Sequence, residues 1–314
     1  MSFFRLFSFL LMTMMFSNAL SAEQQKASAS VIKNEKSISK PILFEIQLPK
    51  AEHTSDGKNQ PKAYILASIH VAKADFYPLP AVVSRAYKLS DTVVVEADIS
   101  KSELNNDMVK KLSYSAPDKL ENHLSPSTWK TLVELTGEVS TQFQPYAATM
   151  VAMGLTINVA QQLGYEPRQG LDLYFITLAK KDKKAITELE GVGFQTDVLA
   201  ALSDAESDAM LASTLETFKK GQVQIELNKI AATWKAGDLK ALSKILRDAG
   251  NRDIGSQKLM KALIDDRNPV MVEKITKMMR EDKKLFVVLG AGRFAGEASI
   301  LDILRQRGFS VKAL

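Results

Sequence analysis

The sequence predicts an α+β fold, loosely α/β: a mixed central sheet drawn from both ends of the chain, with a large helical insertion between them. Three observations predict it. Short apolar, β-branched runs stand near both ends, at 63–69, 91–96 and 285–289. The run Val93-Val94-Val95 has no polar alternation, which suits a strand buried on both faces and covered by helices. The long stretch between the ends carries apolar residues at helical spacing instead. A sheet that must hide both faces, and helices able to cover it, make a layered domain.

The elements follow in order. Residues 1–22 have a basic start at Arg5, an apolar run over 6–16 and small residues at Ala19, Ser21 and Ala22. That is the plan of a secretory signal peptide, with cleavage expected after Ser21 or Ala22. The run is shorter than the roughly 20 apolar residues of a membrane span, so membrane attachment is expected only through an uncleaved signal segment. The protein is therefore expected to be exported, periplasmic or secreted. Residues 23–40 are rich in Ser, Ala, Lys and Gln and read as a flexible linker. Residues 41–314 form the folded domain. Within it, 42–48 and 63–69 read as strands of a hairpin with a long loop containing Gly57. Pro78 and Pro80 precede a helix at 81–89. Strands follow at 91–96 and 184–189. Helices are expected at 102–113, 125–135, 145–163 and 171–180, with Ser125-Pro126 as a cap and first-turn pair. Several more run over 197–279, broken near Gly221, Gly237, Gly250 and Pro269. The chain closes with a strand at 285–289, a helix at 295–307 ended by Gly308, and a strand at 309–312.

Composition excludes several chemistries. The chain has 41 Lys and Arg against 36 Asp and Glu; without Arg5 the count is 40 against 36, or +4. This mild, mixed charge contains no basic block of the kind that grips nucleic acid, and none is expected as a partner. Lys180, Lys181, Lys183 and Lys184 read as a solvated face. There is no cysteine, so disulfides, thiolate catalysis and Cys-based zinc sites are ruled out. Met271, Met278 and Met279 read as core filling.

The candidate site lies at strand ends. Tyr64-Ile65-Leu66-Ala67-Ser68-Ile69-His70 and Phe286-Val287-Val288-Leu289-Gly290-Ala291-Gly292-Arg293 share a plan: apolar strand, small residues, basic side chain. Small residues there let the chain turn and a ligand approach. Glu96 ends the Val93-Val94-Val95 strand in the same way, and a buried Glu needs a partner. Ligands of open α/β sheets gather beyond the carboxyl ends of strands. Each residue alone also has a structural reading: a hydrogen-bonded His70, a Glu96 paired with a Lys or Arg, an Arg293 capping the sheet. Gly290-Ala291-Gly292 is not a dinucleotide fingerprint, because Ala295 stands where the third glycine would be and no βαβ unit follows. Arg293 is expected within hydrogen-bond reach of Glu96.

With these residues goes a resemblance. Ala67-Ser68-Ile69-His70, Phe76-Tyr77-Pro78-Leu79-Pro80 and Ser90-Asp91-Thr92-Val93-Val94-Val95-Glu96-Ala97-Asp98 resemble the N-terminal signature of the TraB/GumN family. Gly170-Leu171-Asp172, Leu189-Glu190 with Gln195, Arg267-Asn268 with Met271, Gly290-Ala291-Gly292-Arg293-Phe294 and Gly308-Phe309-Ser310-Val311 continue it in order, from residue 42 to the C-terminus. The family includes the Tiki proteins, metal-dependent proteases acting on Wnt, and is distantly similar to erythromycin esterase and the haem-binding ChaN proteins. The resemblance implies a mixed sheet of two related halves with helices inserted, and a site of two Gly-x-x-His motifs and a glutamate. By position, His70 is the first histidine and Glu96 the glutamate. Ala67 stands for the first glycine and Arg293 for the second histidine. Arginine stays protonated and offers a metal no lone pair.

Two functions follow as expectations. The first is a degenerate, non-catalytic relative that binds a peptide or small anion, with Arg293 in the cation's place beside Glu96. The second is a Tiki-type metal-dependent hydrolase or peptidase. Its metal ligands would be His70, Glu96 and Asp172, its base Glu190 or Asp172, and its oxyanion stabiliser Arg293. One histidine among carboxylates would suit Mn²⁺ better than Zn²⁺. The other two histidines, His53 and His123, fall in a polar loop and between helices.

Overall fold

A computed structural model describes residues 40–52, 62–100, 102–296 and 298–314. The expected signal peptide and nearly all of the expected linker lie outside the described residues. Six strands form one sheet: β1 (Leu43–Gln47), β2 (Lys62–Ser68), β3 (Thr92–Val95), β4 (Ala185–Glu188), β5 (Leu285–Gly290) and β6 (Ser310–Ala313). Their order is β4-β3-β5-β2-β1-β6. The four strands β2, β5, β3 and β4 run parallel, while β1 is antiparallel to both β2 and β6. The expected hairpin is therefore present, with Leu43 opposite Leu66.

Both chain ends meet in this sheet. β5, from the last tenth of the chain, sits between β2 and β3, with Ser68 opposite Gly290 and Val95 opposite Val288. Phe286, Val287, Val288 and Leu289 are completely buried, as are Val93 and Val94. Unbroken apolar strands are what a sheet covered on both faces requires. One cover packs Tyr87 and Phe175 against Phe286, with ring centroids 5.7 and 4.6 Å away. Elsewhere the buried Trp234 donates its indole N–H to the Ala67 carbonyl at 2.8 Å.

Twelve helices of the described residues surround the sheet or form the insertion. They are α1 (Ala81–Leu89), α2 (Ser102–Lys111), α3 (Pro126–Thr136), α4 (Ala148–Gln162), α5 (Leu171–Lys181), α6 (Val192–Ala200), α7 (Asp204–Lys219), α8 (Gln222–Lys235), α9 (Leu239–Gly250), α10 (Ile254–Met260), α11 (Asn268–Arg280) and α12 (Ile300–Gln306). Ser125 caps α3 by accepting from the Thr128 amide, with Pro126 in the first turn, as the sequence predicts. The insertion has its own small core, where Leu120, Leu132, Phe143, Val151, Leu211 and Leu215 come together.

Two expectations need correction. α6 begins at Val192, earlier than the expected helical region at 197, with Gly191 at φ +96° as its cap. The expected break near Pro269 is present: the helical run stops at Asp265 and α11 opens at Asn268, with Pro269 in the first turn where its missing N–H costs nothing. The single helix expected at 295–307 is only α12, capped by Ser299, and a 3₁₀ turn spans Ala291–Phe294. The reason is local. Gly296 turns with φ +85°, and the space a Cβ would fill there is taken by the Arg247 guanidinium. Arg247 is held by Asp265, Nη1 to Oδ2 3.0 Å, and donates to the Ala295 carbonyl at 2.6 Å. Asp265 ends a π-helical turn, Lys261–Asp265, that the periodicity did not announce. Such turns are often found beside functional sites.

Gly170, just before α5, packs against the His70 backbone beyond the end of β2. A Cβ at this position would overlap the carbonyl oxygen of His70. Gly170→Ala is expected to destabilise the fold by about 1–3 kcal/mol, the usual cost of overpacking a tight contact. Urea titration should show a lower midpoint with an unchanged slope; an unchanged midpoint would mean the two segments are not this close.

Candidate functional site

Parallel strands bring their carboxyl ends to one edge, and the site is built there. His70 lies two residues past β2, Glu96 one past β3, Glu190 two past β4 and Arg293 three past β5. Backbone bonds tie the loops together. The amides of Glu190 and Gly191 donate to the Glu96 carbonyl at 2.9 and 3.1 Å, and the Leu171 amide donates to the Ile69 carbonyl at 3.1 Å.

Arg293 is the centre of an ionic network. Its Nη2 donates to Glu96 Oε2 at 2.7 Å, the contact expected from the sequence, and reaches Glu190 Oε2 at 3.5 Å. Its Nη1 donates to Asn268 Oδ1 at 3.2 Å. The Asn268 amide in turn donates to the carbonyls of Arg293 and Ala298, fixing the loop that carries the arginine. Arg267 Nε donates to the other oxygen of Glu190 at 2.6 Å, and its guanidinium lies 4.5 Å from the centre of the Phe194 ring. Side-chain exposure is 1% for Arg293, 0% for Glu190 and 12% for Glu96. Charges this far from water persist only when paired.

His70 belongs to a second, linked group. Asp172, in the first turn of α5, meets His70 Nδ1 at 3.0 Å and accepts from the Ser68 hydroxyl at 2.8 Å. The His70 side chain is 70% exposed, whereas Asp172 behind it is buried. The charge of Asp172 raises the imidazole pKa to about 9, against a smaller opposing effect of desolvation. Burial pushes the Asp172 carboxyl up, but the His70 charge and the bonds from His70 and Ser68 pull it further down, so it stays ionised. At neutral pH the pair is imidazolium and carboxylate, with Nδ1–H on Asp172 and Nε2–H facing outward.

Gly290 joins the two groups. Its amide donates to Glu96 Oε1 at 2.8 Å. A Cβ here would stand 3.3 Å from Glu96 Oε1 and 3.5 Å from His70 Nε2, so only glycine leaves that space open. Gln195, in the first turn of α6, reaches Glu96 Oε2 at 3.5 Å from the other side.

Every expected site residue is thus in one region, but the ligand set expected for a metal does not converge. Asp172 faces Nδ1 of the imidazole, whereas Glu96 stands on the Nε2 side, so one ion cannot take all three. Each carboxylate already has a cation: Asp172 has His70, Glu96 has Arg293, and Glu190 has Arg267 and Arg293. Among the described residues no group of three His, Asp or Glu is arranged to hold a metal ion. His53 lies outside the described residues, and His123 is held in the insertion by Asp118 and Asp204 at 2.9 and 3.0 Å. This donor set does not fit a transition metal, which wants three or four protein ligands. Sequence reasoning missed the roles of Ser68, Arg267 and Asn268. The last two lie far from any strand end, and only the Arg267-Asn268 motif signalled them.

The TraB/PrgY/gumN family is matched over residues 53–313. The chain belongs to the TraB/PrgY/gumN family. It is similar to the uncharacterized protein YbaP of Shigella flexneri, 26% identical over 83% of this chain and 91% of the relative. It is also similar to YbaP of Escherichia coli, 27% identical over 77% of this chain and 87% of the relative. A metalloprotease TIKI homolog of Nematostella vectensis is 23% identical over 81% of this chain and 65% of the relative. No solved structure matches. Family membership agrees with the resemblance carried by the strand-end motifs.

Two outcomes test the site. The His70 imidazole should titrate near pH 9 by NMR, and Asp172→Asn should bring it back toward 6.5. Because the folded value is the higher one, the stability it contributes is full below about pH 6.5 and lost as pH rises through about 9. An unshifted imidazole would contradict the pairing. Arg293→Ala leaves Glu96 in the interior without its cation, while Glu190 keeps Arg267, and should cost about 3–5 kcal/mol in denaturant unfolding. A loss below 1 kcal/mol would mean the network is solvated.

Proposed function

We propose that this protein is an exported TraB/GumN-family protein that binds a peptide or small anion in its strand-end cleft without a metal ion and without hydrolysing it. The observation that carries this reading is the Arg293–Glu96 pair. A fixed guanidinium lies 2.7 Å from the carboxylate that a divalent cation would need, and it cannot leave or be deprotonated. Export rests on the Arg5, 6–16 and Ala19-to-Ala22 pattern of the first 22 residues.

A metal-dependent hydrolase is the second reading. It is favoured by the similarity to a metalloprotease TIKI homolog and by Glu96 Oε1 and His70 Nε2 facing one point above Gly290. Mn²⁺ is the ion it would use.

Metal analysis of the purified protein and calorimetric titration with Mn²⁺ and Zn²⁺ separate the two. The wild type should bind neither ion tightly. Arg293→His, which restores a lone pair and removes a charge, should bind at least one of them more tightly. Stoichiometric tight binding by the wild type, abolished by His70→Ala and accompanied by peptidase activity, would reverse the ranking.

A further inference from the structure

We propose that His123 is a proton-operated latch in the helical insertion, holding the segment 114–125 to the start of α7 while both ring nitrogens carry a proton and releasing it when one proton is lost. The latch lies apart from the strand-end site.

The first support is the geometry of the ring. His123 Nε2 lies 2.9 Å from Asp118 Oδ2, and Nδ1 lies 3.0 Å from Asp204 Oδ1. The two carboxylates come from different parts of the chain. Asp118 stands just before the 3₁₀ turn Leu120–His123, and Asp204 opens α7. A neutral imidazole has one N–H, so its other nitrogen would turn a lone pair toward a carboxylate at hydrogen-bond distance. Only the imidazolium donates to both. The Tyr114 ring lies parallel to the imidazole, with 2° between the planes and 4.1 Å between centroids. This stacking fixes the ring plane and offers the cation a π face.

The second support is how the surrounding charges are used. In the turn itself, Lys119 and Glu121 pair at 2.6 Å. On α7, Glu206 is committed to Ser203 and Lys258, and Asp208 accepts the Ser125 amide at 3.1 Å. Tyr114 stays a neutral phenol, its pKa pushed up to about 12 by burial and by the charges of Asp204 and Asp118. Among the described residues Asp204 has no ion pair besides His123. Desolvation draws the imidazole pKa down, but the bonds and charges of Asp118 and Asp204 outweigh it and hold it above the ordinary 6.5. The contribution of the latch is therefore full below about pH 6.5 and lost as pH rises through the raised value.

The third support is what the latch fastens. One side of the segment is tied by its backbone, with the Tyr114 amide on the Pro145 carbonyl at 2.7 Å and the Leu120 amide on the Gln144 carbonyl at 2.8 Å. Its link to α7 is made by His123 on Asp204 and by the Ser125 amide on Asp208. Beneath it, Leu120, Tyr114 and Leu124 cover the core of the insertion. Release bares this apolar surface locally, while the sheet keeps its own core.

The test uses the whole protein. The His123 ring is titrated by NMR, and hydrogen exchange of the amides of 114–125 is followed over the same pH range, corrected for the intrinsic exchange rate. The ring should titrate above pH 6.5, and Asp118→Asn and Asp204→Asn should each bring it down toward that value. By linkage, protection of the segment should fall about tenfold for each pH unit by which the ring titrates above its ordinary value. At every pH these amides should exchange faster than those of β5, which is the mark of local opening. His123→Gln, neutral throughout, should remove the pH response, with thermal midpoints checking that each variant folds. A ring that titrates at or below 6.5, protection that does not fall, the same fall in His123→Gln, or a segment as well protected as β5 overturns the latch.

Discussion

The arrangement at the strand ends depends on burying one guanidinium. Moving such an ion out of water carries a penalty of several kcal/mol, and the protein must repay it with partners placed at hydrogen-bond distance. Arg293 obtains them from three separate parts of the chain: Glu96 after β3, Glu190 after β4 and Asn268 at the start of α11. The conformations of these segments are coupled, because none of them can move without leaving a buried charge exposed to an apolar neighbour. Asn268 adds the backbone of the arginine's own loop, through the carbonyls of Arg293 and Ala298. A site that looks like a row of polar residues in the sequence is one cross-linked object in space.

That coupling gives the site a division of labour. Glu96, Glu190 and Arg293 are nearly sealed from solvent and hold position. His70 and Arg267 sit on the outside of the same network, each anchored through one nitrogen and open through the others. The inner layer is electrically closed, so the outer layer can meet a ligand without the whole site rearranging.

Much of the fold was legible because its central strands are unbroken apolar runs. Thr92–Val95 and Leu285–Gly290 can be buried only between covering layers, and their positions at opposite ends of the chain already require those ends to meet. The helix at 81–89 was readable for a similar reason, with Pro80 placed to start it. What was not legible came from contacts distant in sequence. The helix expected from 295 opens only at Ile300, because Gly296 turns with a positive φ and Arg247, almost fifty residues earlier, occupies its Cβ space. The π turn at Lys261–Asp265 leaves no periodic trace in so short a stretch. At the site, His70, Glu96 and Arg293 could be placed together because strand ends converge. The orienting part of Asp172 could not, since which imidazole nitrogen a carboxylate meets depends on how α5 settles against the sheet at Gly170.

The position of β5 has a consequence for how the protein comes into being. It is the strand that separates β2 from β3, yet it follows both of them far along the chain. Until it arrives, β2 and β3 each present an unpaired parallel edge rich in Val, Ile and Leu, the kind of edge that invites pairing with another chain. Joining them requires closing loops of roughly two hundred residues, which is a slow event for a polypeptide. Completing the centre of the sheet therefore waits on contacts far apart in sequence, and this is the slow part of folding such a topology.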